Sequence, residues 1–461
     1  MEITTTVTEP LHREFRVVID ADDLDTRLTD RLEEMKPQLH LKGFRPGKAP
    51  VSFLKKTFGK KVMNEIVEQA VSETSQKAVT DNALKLALPP QVDYLTPLDE
   101  VVGGKANLEF TVRVDLMPDF EVTDLTGLHV EKLVSAVTDK DVEESIDRLA
   151  EQARTYSPRP VGEQAQEKDA VTLDFVGRVD GEEFAGGKAE DFNLVLGSRQ
   201  LIDGFEDQLI GARAGEERSV HVTFPSDYPD GKLAGKPAEF AVHVKEVKAP
   251  DALTIDDELA RKLGLASLGA LRDRVRDQLK TDYNRASRLH LKRRLLDALD
   301  SRHSFPLPEA MVSREFELIW KQVEEELARE GRTAADEGKT EDELKAEYRR
   351  IAERRVRLGL VLARVGEQNG ITVSQEELQR AITARARQYQ GQEQEAYNFL
   401  ASNEQAQAEI RAPIFEEKVV DFIAELANVA ERKVDREILY LDPDEADARL
   451  KNDASSDTGT D

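Results

Sequence analysis

The chain has 461 residues, 34% charged and 39% hydrophobic, with a formal net charge of −26. The absence of cysteine excludes disulfides, thiolate nucleophiles and Cys-ligated metals, and the negative charge argues against general nucleic-acid binding. No run approaches the roughly 18 consecutive apolar residues of a membrane span. The opening MEITTTVTEPLHREF has no basic segment followed by an apolar run, so no signal peptide is expected and a soluble cytoplasmic protein is.

At about 150 residues per domain, this length suggests roughly three domains. Phe15, Val17 and Ile19 alternate as a half-buried strand, and Leu24, Leu28, Leu32 and Met35 follow with helical spacing. A helix is expected over roughly Lys60 to Leu84, and Leu108, Phe110, Val112 and Val114 alternate again. Strands at both ends with helices between them read as α+β over 1–117. Residues 118–159 read as a linker, with a polar helix from Asp139 to Arg154 and Ser157-Pro158-Arg159-Pro160 as punctuation. Segment 160–248 is strand-rich: Val171, Leu173 and Phe175 alternate, as do Val220, Val222 and Phe224, and Phe240, Val242 and Val244. Asp180-Gly181 marks a hairpin turn there, because glycine tolerates positive φ. Residues 249–441 are overwhelmingly helical, in four long amphipathic runs. The tail 442–461 carries six Asp and one Glu against two basic residues, which predicts disorder.

Several chemistries are excluded by motif. GFRPGK, Gly43 to Lys48, is one residue short of a phosphate-binding loop and is followed by Ala49, where Ser or Thr is needed. The seven histidines, at 12, 40, 129, 221, 243, 290 and 303, show no metal-ligand spacing. With 91 acidic residues, a carboxylate pair carries no information. No cofactor and no metal are expected.

Two constellations remain. The first is LDFVGRVDGEEFAGG (173–187), FNLVLG (192–197), QLIDGFEDQLIGARAGEERSVHVTFP (200–225) and DYPDGKLAGKPAEFAVHVKEV (227–247). These stretches resemble the FKBP family of peptidyl-prolyl isomerases over nearly all of 160–248. The resemblance implies an antiparallel sheet wrapped on a short helix, with a prolyl pocket of Phe175, Phe184, Phe192, Leu201, Ile202, Phe205, Tyr228 and Phe240. Phe205 stands where many members place Trp, and Ala185 where they commonly carry an acid. A dry aromatic pocket suits this chemistry. Amide resonance sets a barrier of about 18–20 kcal/mol, and an apolar site favours the twisted, less polar amide without nucleophile or cofactor. Alternating Val171, Leu173, Val220 and Val222 are core.

The second constellation is LKGFRPGKAP (41–50). From Lys42 to Lys61 there are seven basic residues and no acid, where the chain average predicts about four acids. Gly43, Phe44, Arg45, Gly47 and Pro50 fill the pattern Gly-Phe-Arg-x-Gly-x-x-Pro and resemble the ribosome-docking signature of the trigger factor family. Arg45 and Lys48 can meet phosphates, Phe44 offers an apolar tip, the glycines turn the backbone and the prolines stiffen it. The order of segments also resembles that family along nearly the whole chain.

The resemblance implies a multidomain α+β protein: an α+β docking head, an FKBP-like antiparallel sheet domain and a long all-α C-terminal cradle. It implies an ATP-independent chaperone that docks at the ribosomal exit tunnel, on a ribosomal protein and nearby rRNA. The chaperone would shield nascent unfolded polypeptides, isomerise prolyl bonds and pair as a homodimer off the ribosome. No DNA and no membrane partner are expected. Met311, Phe316, Ile319, Trp320, Tyr389, Tyr397 and Phe399 are candidate client contacts, although helical spacing alone places them in the core. The competing readings are a ribosome-independent prolyl isomerase and holdase, although proline catalysis itself does not need the long helical region, and an RNA-binding assembly factor, against which the total charge argues.

Overall fold

The computed structural model describes residues 2–38, 44, 48–104, 106–225, 228 and 230–457. They form two units, each drawn from two stretches of chain: 1–133 with 288–432, and 134–287 with 433 onward.

The first unit opens with β1 (Glu2–Thr8), β2 (His12–Ile19), α1 (Ala21–Met35), α2 (Val51–Asp81), β3 (Gln91–Tyr94), α3 (Leu98–Val102) and β4 (Leu108–Asp115), followed by β5 (His129–Val134). The head sheet has the order β1-β2-β4-β3, all antiparallel. Phe15, Val17 and Ile19 lie opposite Val112, Phe110 and Leu108. The period of two puts all six on one face, where Leu24, Leu28 and Leu32 of α1 and Leu54, Ile66 and Val67 of α2 bury them. Each such side chain contributes about 1.5–3 kcal/mol. The second helix starts nine residues before the expected Lys60, at Val51, because Pro50 caps it: the Pro50 carbonyl accepts from the amides of Phe53 and Leu54 at 3.1 and 3.2 Å.

The second unit contains α4 (Asp139–Gln152), β6 (Tyr156–Pro158), β7 (Ala170–Val179), β8 (Glu182–Val195), β9 (Glu217–Thr223), β10 (Pro237–Pro250), α5 (Asp257–Lys262) and the first part of α6 (Leu268–Arg302). Its sheet has the order β6-β10-β7-β8, with β9 also on β10. Asp180 and Gly181 both take positive φ, 54° and 88°, in the β7–β8 turn.

The rest of α6 belongs to the first unit, which continues with α7 (Glu309–Glu330), α8 (Glu341–Gln368), α9 (Gln375–Ala386), α10 (Glu393–Ser402), α11 (Glu404–Leu426) and β11 (Asn428–Lys433). One arm is the α7–α8 hairpin, packed through Val312 and Ile319 against Ala352, Val356 and Leu360. Helices α9, α10 and α11 pack on one another as a second arm. The chain ends in the second unit with α12 (Arg436–Leu439) and α13 (Pro443–Asp457).

Two expectations change. The stretch read as a linker is packed: Phe120, Val122, Leu125, Leu128 and Val130 join the core of α6, α8 and α11, and Val142, Ile146 and Ala150 of α4 pack with Leu259, Leu271 and Val275. The tail read as disordered is helical from Pro443 to Asp457, with Ala446 and Leu450 buried. Four of its seven acids lie at the start of that helix, where Pro443, Asp444 and Glu445 suit the first turn and the Asp442 carboxylate accepts from the Asp444 amide at 2.9 Å.

Candidate functional site

The strand-rich segment gathers its aromatic residues into one basin. Phe175, Phe205 and Phe240 are buried and form its floor; Phe184, Phe192, Leu201 and Ile202 are half-buried against it. The rings meet edge-on: Phe205 to Phe240 at 5.2 Å, Phe175 to Phe192 at 5.8 Å, Phe175 to Phe240 at 5.9 Å and Phe184 to Phe240 at 6.0 Å. Edge-to-face contacts favour these separations and hold the rings at fixed angles. Tyr228 reaches the group indirectly. Its ring lies 4.7 Å from Phe224, which lies 5.6 Å from Phe184. Phe224 is therefore a further basin residue. In the sequence it ends an alternating strand and reads as core.

Strand register explains how the rings at the basin's centre fit together. Phe240 of β10 stands directly opposite Gly177 of β7. A Cβ at Gly177 would fall 2.5 Å from Phe240 Cε1 and 3.0 Å from Phe184 Cε1, and one at Gly187 would fall 2.9 Å from Phe184 Cζ. The two glycines leave the volume that the Phe184 and Phe240 rings occupy.

The loop bearing Leu201 and Ile202 is held by Glu206, a carboxylate only 6% exposed. It accepts from the amides of Gly197 at 2.7 Å, Gln200 at 2.8 Å, Arg199 at 3.0 Å and Leu201 at 3.4 Å. Converging amides compensate the buried charge without a cation. Gln208 fixes the following turn to β9: its side chain donates to the Gly204 and His221 carbonyls, both at 2.8 Å, and accepts from the His221 amide at 3.1 Å. Ala185 is exposed. The basin supplies an apolar, aromatic surface and no nucleophile, and no cluster that could hold a metal occurs among the described residues.

In the head, Phe44 is half-buried against the core with its ring 5.0 Å from that of Phe53, rather than standing free as a tip. Lys48 is exposed and Pro50 caps α2; Gly43, Arg45 and Gly47 lie outside the described residues. Beside the loop, Lys55 is held by both carboxylate oxygens of Asp25, at 2.7 and 2.8 Å. Lys56, Lys60 and Lys61 are exposed and form no ion pair among the described residues. The first turn of α2 carries no acid.

In the helical arms, Ile319 is core, and Met311 and Phe316 are half-buried on it. Trp320 stacks on Phe316 at 6.1 Å, meets Tyr348 edge-on at 6.2 Å and donates to Glu324 at 2.7 Å, with Lys345 over its ring. Tyr397 is half-buried; Tyr389 and Phe399 are exposed, Phe399 by 60%. Leu318, 57% exposed on α7, and Leu289 on α6 are further exposed apolar residues.

No described helix is long and apolar enough to cross a membrane. The family model for bacterial trigger factor protein matches residues 1–149, that for its C-terminus matches 267–425, and that for FKBP-type peptidyl-prolyl cis-trans isomerase matches 162–245. The trigger factor of Parvibaculum lavamentivorans is 50% identical over 444 residues, 96% of this chain and 87% of that protein. That of Azorhizobium caulinodans is 49% identical over 448 residues, 96% of this chain and 99% of that one. A solved trigger factor chaperone, 19% identical, covers 92% of this chain and 99% of its own with a TM-score of 0.53, and shares the fold. Identity at this level along nearly the whole length decides the assignment: the chain belongs to the trigger factor family of ribosome-associated chaperones and carries an FKBP-type peptidyl-prolyl isomerase domain.

Proposed function

We propose that this chaperone docks at the ribosomal exit tunnel through the loop around Phe44, Arg45 and Lys48, on a ribosomal protein and nearby rRNA. Gly43, Gly47 and Pro50 shape the loop. In this reading 1–117 is the docking head, 160–248 the isomerase and 249–441 the cradle. The observation that carries it is the local charge. A chain of net −26 keeps Lys48, Lys56, Lys60 and Lys61, exposed and without an ion pair among the described residues, on one short stretch of sequence after Phe44. Contacts of that kind to phosphate weaken as salt rises.

The cradle shields emerging apolar segments through weak contacts, with Tyr389, Phe399 and Leu318 as its most exposed apolar groups. Met311, Phe316, Trp320 and Tyr397 lie at the margin of that surface, and Ile319 supports it from the core. Weak and adaptable contacts need no nucleotide for release. The basin of Phe175, Phe184, Phe192, Leu201, Ile202, Phe205, Tyr228 and Phe240 takes up a proline ring and shortens isomerisation steps that otherwise last tens of seconds. The protein works in the cytoplasm without a cofactor, and pairs as a homodimer when free of ribosomes.

Co-sedimentation with bacterial ribosomes at low and high salt tests the docking. The wild type should bind in a salt-sensitive manner, and a Phe44→Ala, Arg45→Ala, Lys48→Ala variant should not. Equal binding by both would move docking away from the loop. No binding by either would leave a ribosome-independent isomerase and holdase.

A further inference from the structure

The head sheet ends on one side at β3, which pairs with β4 alone. No strand among the described residues pairs with its outer edge, and beside it, between β3 and α2, opens a groove of about 440 Å³. One wall is a stripe of α2 that includes Glu68, Val71 and Val79; the other is Leu86, Val92 and Tyr94. Val79, Leu86 and Val92 are half-buried, and Tyr94 is 43% exposed, its ring 6.5 Å from buried Phe110. From Glu68 to Val79 the helix rises about 16 Å, the length of roughly five residues of strand. Pro90 closes the edge at one end, since proline lacks the amide a strand partner needs. Glu68 is exposed, has no ion-pair partner among the described residues and is the one charged group lining the groove.

We propose that this groove is a strand-acceptor site: an extended polypeptide segment, apolar at alternate positions and basic at one end, adds to the free edge of β3 and lies across α2. The edge supplies backbone hydrogen bonds that do not depend on sequence. The apolar stripe selects side chains at every second position, because strand side chains alternate between faces. Glu68 favours a basic terminus. The site is separate from the docking loop, the aromatic basin and the helical arms, and requires none of their assigned roles.

A fluorescein-labelled peptide, Lys-Val-Thr-Val-Thr-Val, tests this on the full chain by anisotropy, with a twin N-methylated at alternate amides. The twin should bind at least about ten-fold more weakly, because it cannot complete the strand ladder. Ser72→Arg, at an exposed position lining the groove, should weaken the parent peptide by a similar factor, with melting and prolyl turnover unchanged. Glu68→Lys should switch the preference to a Glu-headed peptide. Amide exchange over Gln91–Tyr94 should slow when the parent peptide is added. Absence of binding, equal binding of the twin, or indifference to both substitutions would overturn the proposal. So would protection of Gln91–Tyr94 that grows with protein concentration alone, which would make the occupant a second copy of the chain.

Discussion

At the scale of single residues, the basin depends on side chains that are absent as much as on those present. Gly177→Ala would place a methyl group 2.5 Å from Phe240, so the ring must rotate or β7 and β10 must part. Overpacking of this kind costs about 1–3 kcal/mol. Proline turnover on a short peptide should fall further than stability does if, as proposed, the displaced ring is part of the surface that receives proline. Turnover equal to wild type would show that the Phe240 ring position does not matter. Glu206 acts at one remove, through the loop it holds. Glu206→Gln puts an amide NH2 among converging backbone donors, and should cost about 2 kcal/mol while loosening Leu201 and Ile202. A raised KM with little change in kcat would mark it as a positioning residue; unchanged kinetics would make it structural. That Phe175, Phe184, Phe192, Leu201, Ile202, Phe205 and Phe240 gather together was legible because the family stretches name them together, while Tyr228 joins them only through Phe224. Phe224 and Glu206 were not legible. Alternation reports burial without reporting what a ring faces, and one acid among 91 is invisible until its amide partners are known.

At the scale of elements, α2 shows a helix start arranged against its own stability. Its first turn has no acid to meet the amide dipoles, and exposed Lys56 and Lys60 stand four residues apart with like charge. Lys56→Glu would turn that repulsion into an attractive pair. We expect the head to gain about 0.5 kcal/mol in denaturant unfolding while ribosome co-sedimentation weakens. A gain in both would detach this lysine from docking. A second element-scale test concerns α9 and α11. Lys418 Nζ sits 2.9 Å from both oxygens of Glu377, and Ser374 donates its amide to the same carboxylate. The lysine first, then the serine, holds the Glu377 carboxyl down at about 2, from an ordinary 4.5. A lowered folded value means the contribution is present above 4.5 and is lost as pH falls from there toward 2. Exchange of α9 amides should therefore quicken between pH 5 and pH 3 relative to the rest of the arm, and Glu377→Gln should flatten that difference. Helix existence here was legible from apolar spacing; helix starts were less so, since the Pro50 cap moves one by nine residues.

At the scale of the whole molecule, the order of segments was legible and their interleaving was not. Periodicity tells which face of a helix is covered, but not which distant stretch covers it. Segment 118–133 reads as a connector because its partners lie in α6, α8 and α11, more than 150 residues downstream. The same holds for the C-terminus. Composition alone made 442–461 a solvated tail, yet the stretch from Lys433 returns to the second unit. The Val434 amide donates to the Val134 carbonyl at 3.0 Å, and Arg436 donates to Asp141 at 2.6 Å and Glu144 at 2.8 Å. The Tyr440 ring meets that of Tyr283 at 5.7 Å. Asp141 is buried. Burial pushes its carboxyl up, but the Thr138 amide and hydroxyl together with Arg436 outweigh that and hold it below the ordinary range. Ending the chain at Lys433 would leave this carboxylate without its cation and destabilise the unit that holds it. Ending it at Lys451 should cost nothing, because every contact named here is kept. The deficit has a sign that distinguishes it from lost packing. In the full chain the lowered value of Asp141 stabilises above its unfolded value near 3.8 and fades as pH falls. In the shortened chain burial acts with less opposition, so protonation relieves it instead. Melting measured at pH 7 and pH 4 should therefore show a gap between the two chains that narrows with acid; a gap that stays constant would assign the loss to buried apolar area around Ala446 and Leu450 rather than to the Arg436 clamp.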